Sequence, residues 1–339
     1  MYTPSFALKN AGYDLTFLLQ QLVVDHPEAH RQLMSQLPTY KAVVFQRPAL
    51  PVAELWMAAC RHHGVKTVYE VDDDLFNIAY ANPAFSVWGQ TETKRRSTRL
   101  IQASDLILVS TETLKACVVE HAAVDPGRVI VAPNHLRHEL WGEDVQRAVT
   151  TTAAREPGQV VIGWQGSPTH ESDFCVAVPA ILELLKQQPQ VVLRFFGCIP
   201  QLLKPLSPSR VQIMAGVEFA QYPRTLKYLD FDIGLAPLLN TAFNRSKSPL
   251  KYLEYSALGV PTIASACEPY RVITHGETGL LCRTGAEWYA ALTSLVTDAH
   301  RRRAMGAAAK AYVWRHWGPA HGQVWVKALH QLVAEPAYA

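Results

Sequence analysis

Short apolar runs alternate with longer amphipathic stretches along almost the whole chain. In the first half the runs are Leu15–Leu19, Ala42–Gln46, Thr67–Val71, Leu106–Ser110 and Val129–Ala132. They are short, mostly apolar and for the most part rich in β-branched residues, as strands buried on both faces should be. Between them, Val52–His63 and Thr111–Ala123 carry apolar residues at helical spacing. The stretch from Leu140 to Gln159 is more polar, closes on Glu156-Pro157-Gly158, and reads as a link. A second alternation comes after it, with strands expected at Val160–Gly163, Val191–Phe196, Val211–Met214, Ile233–Pro237 and Thr262–Ser265. Its helices are expected at Phe174–Gln188, Tyr222–Tyr228, Leu250–Leu258 and Ala286–Asp298. The tail from Arg301 to Val333 reads as two helices broken at Trp317-Gly318-Pro319. This alternation predicts an α/β protein of two Rossmann-like, doubly wound domains in series. Ligands are then expected at the carboxyl ends of strands, in the cleft between the domains.

The length of 339 residues agrees with two domains at about 100–200 residues each. Apolar residues make up 49%, enough for a core in each half, and the formal charge of +3 is too mild to imply nucleic acid. One basic run, Lys94-Arg95-Arg96 with Arg99, reads either as a solvated helix face or as a contact for phosphate or an anionic membrane surface. The six cysteines form no CxxC pair and no zinc-like spacing with His, so they read as small core residues of a reduced, cytoplasmic protein. Met1-Tyr2-Thr3-Pro4 does not open a signal peptide, and no run of about 18 apolar residues is present to span a membrane.

The densest chemistry lies between Phe243 and Pro261. Ser248 reads as a helix N-cap and Pro249 as the first helical residue, where a missing N–H costs nothing. The amides of Leu250 and Lys251 would then open a helix start, a natural seat for phosphate, with Lys247 and Lys251 adding full positive charge. Glu254 lies in the second turn, set back far enough to accept hydrogen bonds from a ribose diol. Gly259 is expected to end the helix in the left-handed conformation, and Pro261 to stop it from continuing.

This string resembles the donor-binding signature of glycosyltransferase family 4 (group 1), whose fold is the two-domain GT-B type. Ile233-Gly234-Leu235-Ala236-Pro237 matches the strand that precedes the signature, and Glu254 matches the glutamate that holds the nucleotide ribose. The commoner family pattern places another glutamate where Ser246 stands here; a branch with a Ser-Pro-Leu-Lys helix start likewise lacks it. Weaker matches run through Asn10–Asp14, Val68–Asp74, Ala103–Thr111, Ala132–Asn134 and Ile162–Ser167, in family order. The family opens with a strand and a Gly-rich loop, whereas this chain opens inside the segment matching the first helix. Either its start lies downstream of the true one or the N-terminal domain lacks its first strand.

The resemblance implies an acceptor domain over 1–150 and a donor domain over 151–316. The final helix, 317–339, would pack back on the first domain. It implies a retaining sugar transfer from a UDP- or GDP-sugar to a hydroxyl acceptor such as a glycan or lipid-linked saccharide, as in polysaccharide biosynthesis. No cofactor or metal would be needed, because the helix dipole, Lys247 and Lys251 would neutralise the departing diphosphate. Such acceptors would fit transient contact with the inner face of the plasma membrane. Asp72-Asp73-Asp74 must face solvent, a cation or a polar ligand. Asp72 or Asp73 is expected to orient an acceptor hydroxyl or to serve a structural cap, and Asp74 to cap the segment after it. Gly166-Ser167-Pro168-Thr169-His170 matches a loop that reaches the diphosphate through Arg and Lys in the family, so His170 and loop amides would substitute. Gly197, Gly216 and Val217 end strands expected to flank the nucleoside. Two other readings stand beside the enzyme: an inert nucleotide-sugar-binding partner protein, and a nucleotide-sugar epimerase of the same fold.

Overall fold

The computed structural model describes residues 5–17 and 25–334. They divide into two compact units. The first runs up to Asn134 and adds Ser246–Ser248 and the chain from Ala320 onward. The second comprises His135–Arg245 and Pro249–Pro319.

The first unit carries a four-stranded sheet of β1 (Ala42–Gln46), β2 (Lys66–Val71), β3 (Leu106–Val109) and β4 (Val129–Val131), paired in that order and parallel throughout. Side chains alternate across it, as a period of two requires. Tyr69, Val71, Ile107 and Val109 face the helices Val52–His62, Thr91–Ala103 and Glu112–Ala122. Val68, Leu106 and Leu108 face the helix Gly322–Ala334, whose Trp325, Ala328, Leu329 and Leu332 complete the second core with Leu8. Thr111 caps its helix by accepting a hydrogen bond from the Leu114 amide. Of the expected strand Leu15–Leu19, residues 15–17 have no regular structure, and Leu18 and Leu19 lie outside the described residues.

The second unit carries six parallel strands: β5 (Val160–Gly166), β6 (Val191–Gly197), β7 (Val211–Met214), β8 (Ile233–Ala236), β9 (Thr262–Ser265) and β10 (Leu280–Cys282). Their spatial order is β10-β9-β8-β5-β6-β7. The order reverses between β5 and β8, which is the doubly wound arrangement that opens a crevice at the strands' carboxyl ends. Val160, Ile162 and Trp164 face the helices Val178–Gln187 and Gly285–Thr297. On the other face Val161, Phe196 and Ala236 pack with residues of the helices Leu250–Ala257 and Ala299–His316. The expected link is largely folded against this unit. Residues His138–Trp141 and Glu143–Arg147 are short helices, Trp141 is 1% exposed, and Gln146 Nε2 donates to the Ala257 carbonyl at 3.0 Å. One buried indole in a polar stretch outweighs the stretch's average composition.

Candidate functional site

The switch between β5 and β8 is shaped first by glycine. Gly197, at the end of β6, has φ +105°, and a Cβ there would lie 2.3 Å from the Gly166 carbonyl oxygen. Only glycine permits that approach. Trp164 holds the end of β5 from below, packed edge-to-face on Phe174 and Phe195 with centroids 5.0 and 6.0 Å away.

The helix Leu250–Ala257 differs at its start from the sequence expectation. Pro249, at φ −78° and ψ 38°, is the N-cap, and no side chain caps the helix. Ser248 does not cap: its Oγ accepts a hydrogen bond from Asn134 Nδ2 at 3.0 Å. Its ψ of 38° takes Pro249 itself out of the helical region, so the helix begins one position later than expected. The first-turn amides of Leu250 and Lys251 lack intrahelical acceptors by geometry. At the other end Gly259, at φ +75°, gives the expected left-handed stop. The Val260 amide bonds the Tyr255 carbonyl and the Gly259 amide that of Ser256, a Schellman closure.

Glu254 projects from this helix to Gln165, near the end of β5, and is only 6% exposed. Its Oε2 accepts hydrogen bonds from Gln165 Nε2 and from the Tyr222 hydroxyl, the latter at 3.0 Å. Tyr222 is stacked on Phe196 at 5.1 Å, and Tyr255 Oη accepts from the Gln165 amide at 3.2 Å. Burial pushes the Glu254 carboxyl up to about 8, which favours the protonated form at neutral pH. Gln165 Oε1, also buried, has no hydrogen-bond partner among the described residues. Sequence reasoning missed Gln165 and Tyr222. A lone polar residue in the apolar run Val160–Gly166 was the one available signal for Gln165, and Tyr222 offered none.

His170 sits in the 3-10 turn after β5, with Nδ1 3.0 Å from Asp173 Oδ2. Gly166 ends β5 and Ser167 opens that turn, its hydroxyl hydrogen-bonded to Thr169. Gly216 and Val217 are exposed and come after β7, the outermost strand.

Lys247, Asp72 and Asp73 all fall in the first unit. Lys247 Nζ is 3.0 Å from Asp73 Oδ1, and Arg47 Nη1 reaches Asp73 Oδ2 at 2.9 Å and Asp72 Oδ1 at 3.2 Å. The aspartates at the end of β2 are thus met by two cations. Burial, then the neighbouring Asp73, raises the Asp72 carboxyl. Glu70 is pushed up to about 7, first by burial and then by Asp72. Asp74 caps the next turn, its Oδ1 accepting from the amides of Phe76 and Asn77. The basic run is not a bare charged face. Arg96 is 9% exposed and bonds Glu54 and the Ala49 carbonyl, Arg99 bonds Glu54 and Glu92, and Lys94 donates to the Phe76 carbonyl. The cysteines are all free, and Cys175 is exposed rather than in a core. Among the described residues, no group of three or more His, Cys, Asp or Glu could hold a metal ion, and no helix is long and apolar enough to cross a membrane.

Residues 159–298 match the family described as Glycosyl transferases group 1. The chain is 27% identical over 239 residues to a D-inositol 3-phosphate glycosyltransferase of Corynebacterium aurimucosum, covering 65% of this chain and 55% of that protein. It therefore spans about half the length of that relative. Among solved structures it resembles Anabaena HepE in complex with UDP-glucose, with a TM-score of 0.63 at 13% identity over 90% of this chain and 82% of that one. It also resembles sucrose-phosphate synthase of Thermosynechococcus elongatus, with a TM-score of 0.64 at 16% identity over 95% and 82% of the two chains. These likenesses show the GT-B fold.

Proposed function

We propose, for a GT-B chain whose residues 159–298 belong to the glycosyl transferases group 1 family, that it moves a sugar from a nucleotide-sugar donor to a hydroxyl acceptor. The observation that carries this reading is Glu254: a carboxyl buried beside the β5–β8 switch point, in the second turn of a helix that starts with Leu250 and Lys251. A ribose diol donating to Glu254 would replace water that burial has removed. The helix start, its dipole and the Lys251 ammonium would receive the diphosphate. Lys247, paired with Asp73 within the first unit, remains a candidate for neutralising the departing diphosphate. Transfer with retention then needs no strong protein base: the leaving diphosphate oxygen takes the proton of the attacking hydroxyl on the same face, while these groups stabilise the charge that develops. Neutralisation by helix dipole and lysines makes the reaction metal-independent on this reading. Asp72 or Asp73 remains the candidate to orient the acceptor hydroxyl. A UDP-sugar donor is favoured by the likeness to HepE, which is solved with UDP-glucose. The acceptor would be a glycan or lipid-linked saccharide.

The test is a panel of UDP- and GDP-sugars scored for binding, slow hydrolysis and transfer by the full chain. Glu254→Ala is expected to lower kcat/KM at least about 100-fold, the equivalent of about 3 kcal/mol of transition-state stabilisation, with an unchanged far-UV circular dichroism spectrum. Wild-type rates in that variant would overturn the site. Tight donor binding by the wild type without turnover would turn the reading to an inert partner protein.

A further inference from the structure

One buried carboxylate joins the two loops that flank the switch point. Asp173 lies after β5 and is 6% exposed. Its Oδ2 accepts from His170 Nδ1 at 3.0 Å. Its Oδ1 accepts from the Leu239 amide at 3.1 Å and from Asn244 Nδ2 at 2.7 Å. Leu239 and Asn244 belong to the connection leaving β8, and Asn244 Nδ2 also donates to the Leu239 carbonyl at 3.0 Å. The adjacent Phe174 is locked between Trp164 and Phe195, with centroids 5.0 and 5.8 Å away, so the carboxylate itself has little freedom.

Burial opposes ionisation of Asp173, but the hydrogen bonds from His170, the Leu239 amide and Asn244, together with the His170 charge, outweigh it and hold the carboxyl below its usual range. The other titratable groups it meets, Cys267 and Tyr270, are held neutral by burial. The ring hydrogen-bonded to it is that of His170. An amide at 173 could still accept from Leu239 and Asn244 and tie the two loops. A carboxylate does one thing more: it fixes the proton on Nδ1 and favours the charged ring.

We propose that Asp173 is a positioning residue of the donor site: it ties the loops after β5 and β8 across the crevice and, through its hydrogen bond with Nδ1, orients the His170 ring for an anionic oxygen of the donor's diphosphate. The inference rests on the donor-site reading above and assigns a role to a residue outside the signature helix. It also accounts for a diphosphate-facing loop without Arg or Lys between Gly166 and Asp173.

The test measures UDP and UMP binding to the full chain by calorimetry, below and above the ordinary histidine range of about pH 6.5. Asp173→Asn keeps the loop tie and removes the charge. It is expected to weaken UDP about tenfold and UMP less, and to move the loss of UDP affinity with rising pH to lower pH. In a His170→Gln background, which removes the ring from a partly exposed position, Asp173→Asn is expected to add under twofold, because its effect runs through His170. Equal weakening of UDP and UMP with an unmoved pH profile would mark Asp173 as merely structural and overturn the proposal, as would wild-type UDP affinity in Asp173→Asn. Failure of the wild type to bind UDP or GDP at all would overturn the donor reading and this role with it.

Discussion

In the first unit β1 to β4 lie side by side in sequence order, whereas in the second the order turns back between β5 and β8. Both sheets are parallel, and both have a carboxyl raised by burial, Glu70 on β2 and Glu254 beside β5, but the aspartates that come after β2 are treated differently from Glu254. After β2, Asp72 and Asp73 have side chains 36% and 31% exposed and are met by Arg47 and Lys247. Near the end of β5, Glu254 is buried and met by two neutral donors. The first set faces cations and water, with burial and the neighbouring Asp73 raising the Asp72 carboxyl. The second is neutral at pH 7, its charge withheld until something favours it. A carboxyl kept neutral by burial stores a cost that an arriving hydroxyl donor can relieve; one already paired with guanidinium and ammonium stores little. On this comparison the second unit holds the responsive site and the first holds a pre-neutralised one.

The largest effect should come from the backbone that shapes the crevice. Gly197→Ala places a Cβ 2.3 Å from the Gly166 carbonyl oxygen at φ +105° and should cost about 3 kcal/mol in urea unfolding. In the first unit Gly127→Ala meets nothing nearer than the Asp125 carboxylate at 3.3 Å, a flexible side chain, and should cost under about 1 kcal/mol. Equal costs would mean that the Gly166–Gly197 approach is not a constraint peculiar to the second sheet.

Next in size is the proton on Glu254. Its folded pKa of about 8 lies above the unfolded value of about 4.3, so between the two the native state binds the extra proton. That contribution to stability is complete below about pH 4.3 and is lost as pH rises through 8. Glu254→Gln titrates nowhere. It should melt progressively higher relative to the wild type across this interval, by up to a few kcal/mol at about 1.4 kcal/mol per pKa unit. Nucleotide binding near neutral pH should release a proton, read as a dependence of the calorimetric enthalpy on buffer ionisation. A pH-independent gap between wild type and variant would show that Glu254 is ionised in the free protein and would erase the contrast with Asp73.

The architecture was open to sequence reasoning because buried parallel strands are written as contiguous apolar runs: Ala42–Gln46, Val211–Met214 and Thr262–Ser265 lie where their composition puts them. Leu280–Cys282 was not seen, since three residues show no period and their pairing with β9 is entirely non-local. Glu254 was legible because its helix carries local marks, Pro249 before it and Gly259 after it. Its partners were not. Gln165 and Tyr222 lie 89 and 32 residues away, and only the strand order brings them together. The same reasoning misread Ser248, because its hydroxyl bonds Asn134, 114 residues distant, instead of its own helix.

The smallest effect sharpens the other side of the comparison. Asp73→Asn removes the charge that Lys247 and Arg47 share but leaves an oxygen to accept from one of them. With Asp73 31% exposed and Arg47 34%, solvent screens the pair, and the loss should be about 1 kcal/mol at low salt. In 1 M salt, where the screening length is about 3 Å, wild type and variant should converge. Glu254→Gln should keep its pH-dependent gap under the same salt, because a desolvation cost is not screened. If salt abolishes the Glu254 effect and spares that of Asp73, the assignment of buried and solvated carboxyl groups to the two units is reversed.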